Sequence, residues 1–272
     1  MDMEREKQRQ TYQICRLGFG ILSLALILAT IPEVLLLLQL FFWPGVMGWF
    51  AQTSFYRWLD VPIIWGSLVG AYLLWGRWAE SGWQKRAGLL LLMCSIDVLN
   101  WFLDHGEQLN LRLHEVGHEW LRTEIGGALG WAEFALIASL ACDLLAHLGV
   151  TQATDAGKAT RSLAATGAVV WLISFIDQTA WAQGWPLQRR GIMNLQSYML
   201  FLGTRMIWTI TLIQVTALTV ATARQLSRVL SEMDQEDQDH DLFKSPSDQD
   251  YGLLVSSRED GSRDNESTAY SW

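Results

Sequence analysis

Six long apolar runs constrain this chain more than anything else in it: Leu17–Phe42, Val61–Trp78, Ala87–Leu103, Ile125–Leu148, Leu163–Ala182 and Leu195–Thr222. A helix needs about 20 apolar residues to cross the hydrocarbon of a bilayer. Inside lipid the backbone must satisfy its own hydrogen bonds, which a helix does. The sequence therefore predicts an all-α fold, a polytopic membrane helix bundle of about six transmembrane helices. The 15 Trp of the chain suit membrane–water interfaces, where an apolar ring and an N–H are both used.

Finer features set the expected boundaries. Asp60 before Val61-Pro62 reads as a helix N-cap followed by Pro in the first turn. Pro32 should kink the first run, or split it into a span and an interfacial helix. That run exceeds a signal-peptide core of about 7–15 residues, so a retained anchor is expected. The net charge of −8 is concentrated at one end, because residues 231–272 hold 12 Asp/Glu against Lys244, Arg258 and Arg263. The expected division is a cytoplasmic segment 1–16, a six-span domain 17–230 and an acidic, disordered cytoplasmic tail 231–272. With both termini inside, eleven Lys/Arg fall on inner segments (Arg5, Lys7, Arg9, Arg16, Arg77, Lys85, Arg86, Lys158, Arg161, Arg224, Arg228) and five on outer ones (Arg57, Arg112, Arg122, Arg189, Arg190). The positive-inside rule favours that orientation, in the inner (plasma) membrane.

Charges interrupt the greasiest stretches. Asp97 and Asp177 lie in two runs that share the pattern Ile-Asp-x-x-x-Trp (Ile96, Asp97, Trp101 and Ile176, Asp177, Trp181), and Glu133 and Arg205 interrupt two others. An ionisable group in hydrocarbon is expensive and by default marks a site. At about 1.5 Å of rise per residue, Asp97 and Asp177 come out roughly 8–9 Å below the outer interface, Glu133 roughly 12 Å and Arg205 roughly 15 Å. All four fall in the outer half, and Glu33 of the first run is placed to join them. Asp97, Asn100, Trp101 and Asp104 follow a spacing of three and four, so they share a helix face that should point into the bundle. Three acids against Arg205 require that one or two be protonated or that a cation be present. The same groups would also serve as a lock between helices.

The outer connector after the third run carries a second motif. Residues His114-Glu115-Val116-Gly117-His118 fit H-E-x-x-H, and His105 lies nearby. On a helix the two His sit one turn apart and can bind Zn²⁺, with Glu115 as general base. Over these five residues the chain resembles zinc metallopeptidases of the H-E-x-x-H kind. The resemblance implies His114 and His118 as metal ligands and Glu115 as the catalytic base; the candidates for a third ligand are Glu133, then Glu119 or Asp104, and His105 adds an imidazole near the same surface. The plainer reading is an amphipathic helix on the membrane surface, with Leu109, Leu113, Val116, Trp120 and Leu121 toward lipid. Cys15, Cys94 and Cys142 are widely spaced and read as small buried hydrophobes.

Three functional expectations follow. The first is a transporter-like or channel-like protein handling a proton, cation or small polar solute, with Asp97, Asn100, Asp104, Glu133, Asp177 and Arg205 as binding groups. The second is a membrane-bound zinc-dependent hydrolase using His114, Glu115 and His118. The third is a non-catalytic subunit of a membrane complex. No cofactor is expected beyond Zn²⁺ or another divalent metal at the histidine motif. The bilayer is the expected partner, joined by a protein docked on the tail or on the membrane faces. An acidic chain of this kind calls for no nucleic acid.

Overall fold

A computed structural model describes residues 2–43, 45–76, 81–104, 119–182 and 195–244. The described residues are all helical, with no strands. The helices are α1 (Asp2–Phe41), the short α2 (Val46–Ala51), α3 (Ser54–Leu74), α4 (Ser81–Asp104), α5 (Glu119–His147), α6 (Thr151–Ala182) and α7 (Leu195–Lys244). Each of the six apolar runs falls on one of the longer helices. Among the described residues, four stretches are long and apolar enough to cross a membrane, Met3–Phe41, Gly82–Leu103, Gly126–His147 and Leu202–Gln238, while the apolar part of α3, Trp58–Leu74, is shorter. Large apolar side chains face outward on these helices, among them Leu24, Leu92, Leu99, Ile173 and Ile210. Such a continuous greasy exterior is costly in water and suits lipid. The helices are those of a membrane-embedded protein.

Three boundary expectations need correction. Helix α3 starts before Asp60, because Thr53 takes the N-cap: its Oγ1 accepts the Tyr56 N–H at 3.3 Å. Asp60 and Pro62 therefore lie inside the helix rather than at its start. Pro32 does not split α1, which is continuous from Asp2 to Phe41 and takes in the expected segment 1–16. Helix α7 runs through Lys244, well into the stretch expected to be disordered. Its run of Asp, Glu and Gln has adequate helix propensity, and Arg228 pairs with Glu232 one turn on, at 3.0 Å. Residues 245–272 lie outside the described residues.

The chain divides into two compact units, Met1–Ser227 and Arg228–Trp272. In the first, α1 packs on α3, α3 on α4, α4 on α5 and α5 on α6. On α1 and α3 the seam is made of small residues. A Cβ placed on Gly66 would stand 3.1 Å from the Ala25 Cβ, and one on Gly70 would stand 3.1 Å from the Gly18 carbonyl oxygen. Close backbone approach through small residues is how helices gain packing energy in lipid. Helices α5 and α6 join through a tight turn at Gly149, whose φ of 76° suits glycine. The Val150 N–H reaches the Leu145 carbonyl at 2.9 Å and the Gly149 N–H reaches that of Ala146 at 3.1 Å, a Schellman closure. The hairpin then packs reciprocally: Trp131 of α5 lies over Gly167 of α6, and Trp171 of α6 over Gly127 of α5. The buried Trp83 at the head of α4 donates its indole N–H to the Leu74 carbonyl at 2.9 Å, closing the end of α3. Helix α7 enters through Trp208, edge-on to Trp131 at 5.0 Å and 4.7 Å from Phe134.

Candidate functional site

The helix directions bring one end of α1 and α4 together with the opposite ends of α3, α5 and α7. There they enclose a cavity of about 300 Å³. Four acids on four different helices line it: Glu33 of α1, Asp60 of α3, Asp97 of α4 and Glu133 of α5. Ser67 and Cys94 add polar groups, while Leu26, Ile63, Ile64, Phe134, Trp208 and Leu212 supply apolar wall. No Lys, Arg or His lines it among the described residues.

Local sequence explains why each acid arrives there. Asp97 lies one turn beyond Cys94, so both look out from one face of α4. On α5, Gly130 stands one turn before Phe134 and Glu133; it leaves room for Trp208, whose ring would collide with a Cβ there. Glu33 follows Pro32, and Asp60 precedes Pro62 by two residues. The two prolines lack an N–H, so the carbonyls of Leu28 and Trp58 lose their helical donors beside the cavity.

The acids form two different associations. Glu33 is paired across to α7, with Arg205 Nη1 donating to its Oε1 at 3.3 Å; the Arg205 side chain is 40% exposed and that of Glu33 19%. Asp97 and Glu133 stand within hydrogen-bonding reach of each other, and the Cys94 thiol reaches Glu133 as well. Two ionised carboxylates offer only acceptors, so that contact requires a proton or a cation between them. The Oε1 atom of Glu133 and the Oε2 atom of Glu33 are buried and have no hydrogen-bond partner among the described residues. Buried polar atoms of this kind call for an explanation, and a site that receives something is one.

The sequence-predicted residues divide three ways. Asp97 and Glu133 line the cavity, and Arg205 reaches it through Glu33. Asn100 is half-buried one turn beyond Asp97 and is not part of the lining. Asp104 ends α4 and Asp177 lies on α6, but their side chains are outside the described residues, as are His105, His114, Glu115 and His118. Among the described residues no three His, Cys, Asp or Glu side chains are grouped closely enough to hold a metal ion. Sequence reasoning missed Asp60 and Cys94. Asp60 was assigned to a cap, and its signal was an acid directly before an apolar run that already had a better cap in Thr53.

A second polar contact sits further along the same helices. Arg86 of α4 forms an ion pair with Asp143 of α5, each side chain 32% exposed, and donates to Ser139 Oγ at 2.6 Å. This pair also escaped the sequence reading. Its signal is the antiparallel register: if Asp97 meets Glu133, then Arg86 must come close to Asp143. The chain matches no known protein family, no curated protein and no solved structure.

Proposed function

We propose that the protein is a six-span membrane protein of the inner (plasma) membrane, with cytoplasmic termini, that works as a transporter or channel for a proton, a cation or a small polar solute. The observation that carries this reading is the cavity that receives one acid from each of α1, α3, α4 and α5 with no base in its lining among the described residues. In hydrocarbon each such acid costs about 2.5–3.5 kcal/mol on insertion scales, less where it reaches a water-filled cavity. A purely structural lock would be better served by balanced pairs or by apolar packing of equal volume. Here Arg205 matches Glu33, while Asp97 and Glu133 meet acid to acid, so carboxyls outnumber bases in the described cavity wall. A cavity with that excess repels anions and favours protons, cations and hydrogen-bond donors.

The test is reconstitution of the full chain in liposomes, with uptake followed for protons, Na⁺, K⁺ and a neutral polar solute. Wild type should move at least one of them, and Asp97→Asn and Glu133→Gln should reduce that flux to the level of empty liposomes. A wild-type protein that moves none, or variants that move the solute at the wild-type rate, would sink the reading.

A further inference from the structure

We infer that the species handled is the proton, and that it is held between the carboxyls of Asp97 and Glu133 after entering past Asp60. The inference rests on the transport reading above and narrows its cargo.

The first argument is geometric. Asp97 and Glu133 face each other from antiparallel helices, in contact distance, at the wall of a cavity. Acceptor-only groups do not take up such a contact unless a donor or a cation joins them. A proton satisfies it with no further ligands, because one O–H···O⁻ bond uses one oxygen from each side. It also gives the buried Oε1 of Glu133 a role, as the acceptor or the carrier of that proton.

The second argument is the poverty of the surroundings as a coordination shell. A hard cation stripped of water seeks about six to eight oxygen ligands. The cavity wall includes Cys94, Phe134, Trp208 and Gly130, and its further acids, Glu33 and Asp60, are not grouped with the pair as the ligands of a metal ion would be among the described residues. A thiol and two aromatic rings are poor substitutes for water oxygens. No third acid joins the pair closely enough to complete a metal site among the described residues. Among the described residues, the charged groups that line the cavity beside the pair are Asp60 on α3 and Glu33 on α1, with Arg205 of α7 bonded to Glu33. None of them is a cation that could neutralise Asp97 and Glu133 together.

The third argument is the gradient of burial along the row of acids. Asp60 is exposed, Asp97 half-buried, and Glu133 sits where its Oε1 is closed off. A proton arriving from water meets Asp60 first and the pair last. The transfer step balances simply. The O–H bond on Asp97 breaks, a new O–H bond forms on a Glu133 oxygen, and the pair keeps a single negative charge throughout.

Two measurements on the full chain in lipid nanodiscs and liposomes decide the matter. Infrared spectroscopy at neutral pH should show the C=O band of a protonated carboxylic acid in wild type. The band should be lost or shifted in Asp97→Asn and, separately, in Glu133→Gln, and should persist in Asp60→Asn. Absence of the band in wild type, or a band left unchanged by either of the first two variants, overturns the shared proton, and the wild-type spectrum stands even where a variant fails to fold. In liposomes carrying a pH-sensitive dye, a pH gradient should drive proton flux at a rate unaltered when Na⁺ and K⁺ are replaced by choline. Both pair variants should lower that rate at least tenfold. Flux of Na⁺, K⁺ or a neutral solute without protons would overturn the proton assignment and leave the transport reading intact. No flux of any kind, with the infrared band present, would remove the transport reading and leave a proton-binding pair.

Discussion

The α4–α5 hairpin carries two polar contacts between the same two helices, and they are built on opposite rules. Near the start of α4, Arg86 meets Asp143 and Ser139, charge against charge with a hydroxyl completing the bonds. Some ten residues along each helix, or about 15 Å, Asp97 meets Glu133, acid against acid beside a cavity. Between them lie Leu90, Ile137 and Leu140, all buried. Position on the hairpin and chemical class of residue are therefore poor guides to role. Charge balance and the presence of space are better ones. In the proposed function, the balanced pair holds the helices together and the acid pair beside the cavity takes something up. Glu33 with Arg205 stands between these cases, a balanced pair whose acid also lines the cavity.

The comparison breaks most sharply on removal of the Asp97 or Glu133 carboxyl. Asp97→Asn and Glu133→Gln should each abolish flux, a loss of tenfold or more and so at least about 1.4 kcal/mol in rate terms. Thermal unfolding in detergent should be little changed, since an amide N–H can take the place of the shared O–H as the donor in that contact. A large loss of stability in either variant would move this pair into the same class as Arg86 with Asp143.

The Arg86–Asp143 pair should respond the other way. Arg86→Ala should lower stability by about 1–2 kcal/mol, a value reduced from that of a fully buried pair because both side chains keep a third of their exposure. Asp143→Ala should do much the same. The exchange Arg86→Asp with Asp143→Arg should recover most of the loss, read as the melting temperature of the double variant against each single one. Flux per folded molecule should not change in any of them. A flux defect that survives correction for folded protein would make the Arg86–Asp143 pair part of the pathway.

How much of this was legible in the chain follows from the same contrast. The helices were legible because apolar runs of spanning length have few alternatives in lipid. Asp97 and Glu133 were legible because a carboxyl in the middle of such a run has no cheap explanation. Arg86 was not, since a base at the edge of a run looks like an ordinary inner-loop charge, and only the helix register shows that it faces Asp143. Asp60 was hidden by a competing local rule. An acid before Val-Pro reads as a cap until Thr53 and the turn that follows it are seen to extend the helix backward. The shared Ile-Asp-x-x-x-Trp pattern did not translate into matched environments, since Ile96 is half-buried on α4 and Ile176 is 58% exposed on α6. A six-residue pattern fixes spacing along one helix, whereas environment depends on which neighbours pack against it.

The intermediate pair gives a smaller effect that sharpens the same comparison. Arg205→Met removes the base and leaves Glu33 facing the cavity without its Arg205 partner. Polar contacts between membrane helices average about 0.6 kcal/mol and reach about 1.7, so the expected loss of stability is about 1 kcal/mol. Arg205→Lys should keep more than half of it, since a single donor reaches Glu33 at 3.3 Å rather than a two-pronged fork. A stability equal to wild type in Arg205→Met would show that Glu33 belongs with the unbalanced acids.

Asp60 gives the smallest effect and the most discriminating one. It is exposed, so Asp60→Asn should leave the melting temperature within experimental error. If it serves only as the first acid that an incoming cation or proton meets, its removal lowers the local attraction without touching the deeper pair. The flux should then fall by about threefold, less than 1 kcal/mol, and the deficit should shrink as ionic strength rises, because salt screens an exposed charge and not a buried one. A loss as complete as that of Asp97→Asn, insensitive to salt, would place Asp60 inside the site with the other two. The line between the exposed and the buried acids would then lie one helix further out, at α3 instead of α4.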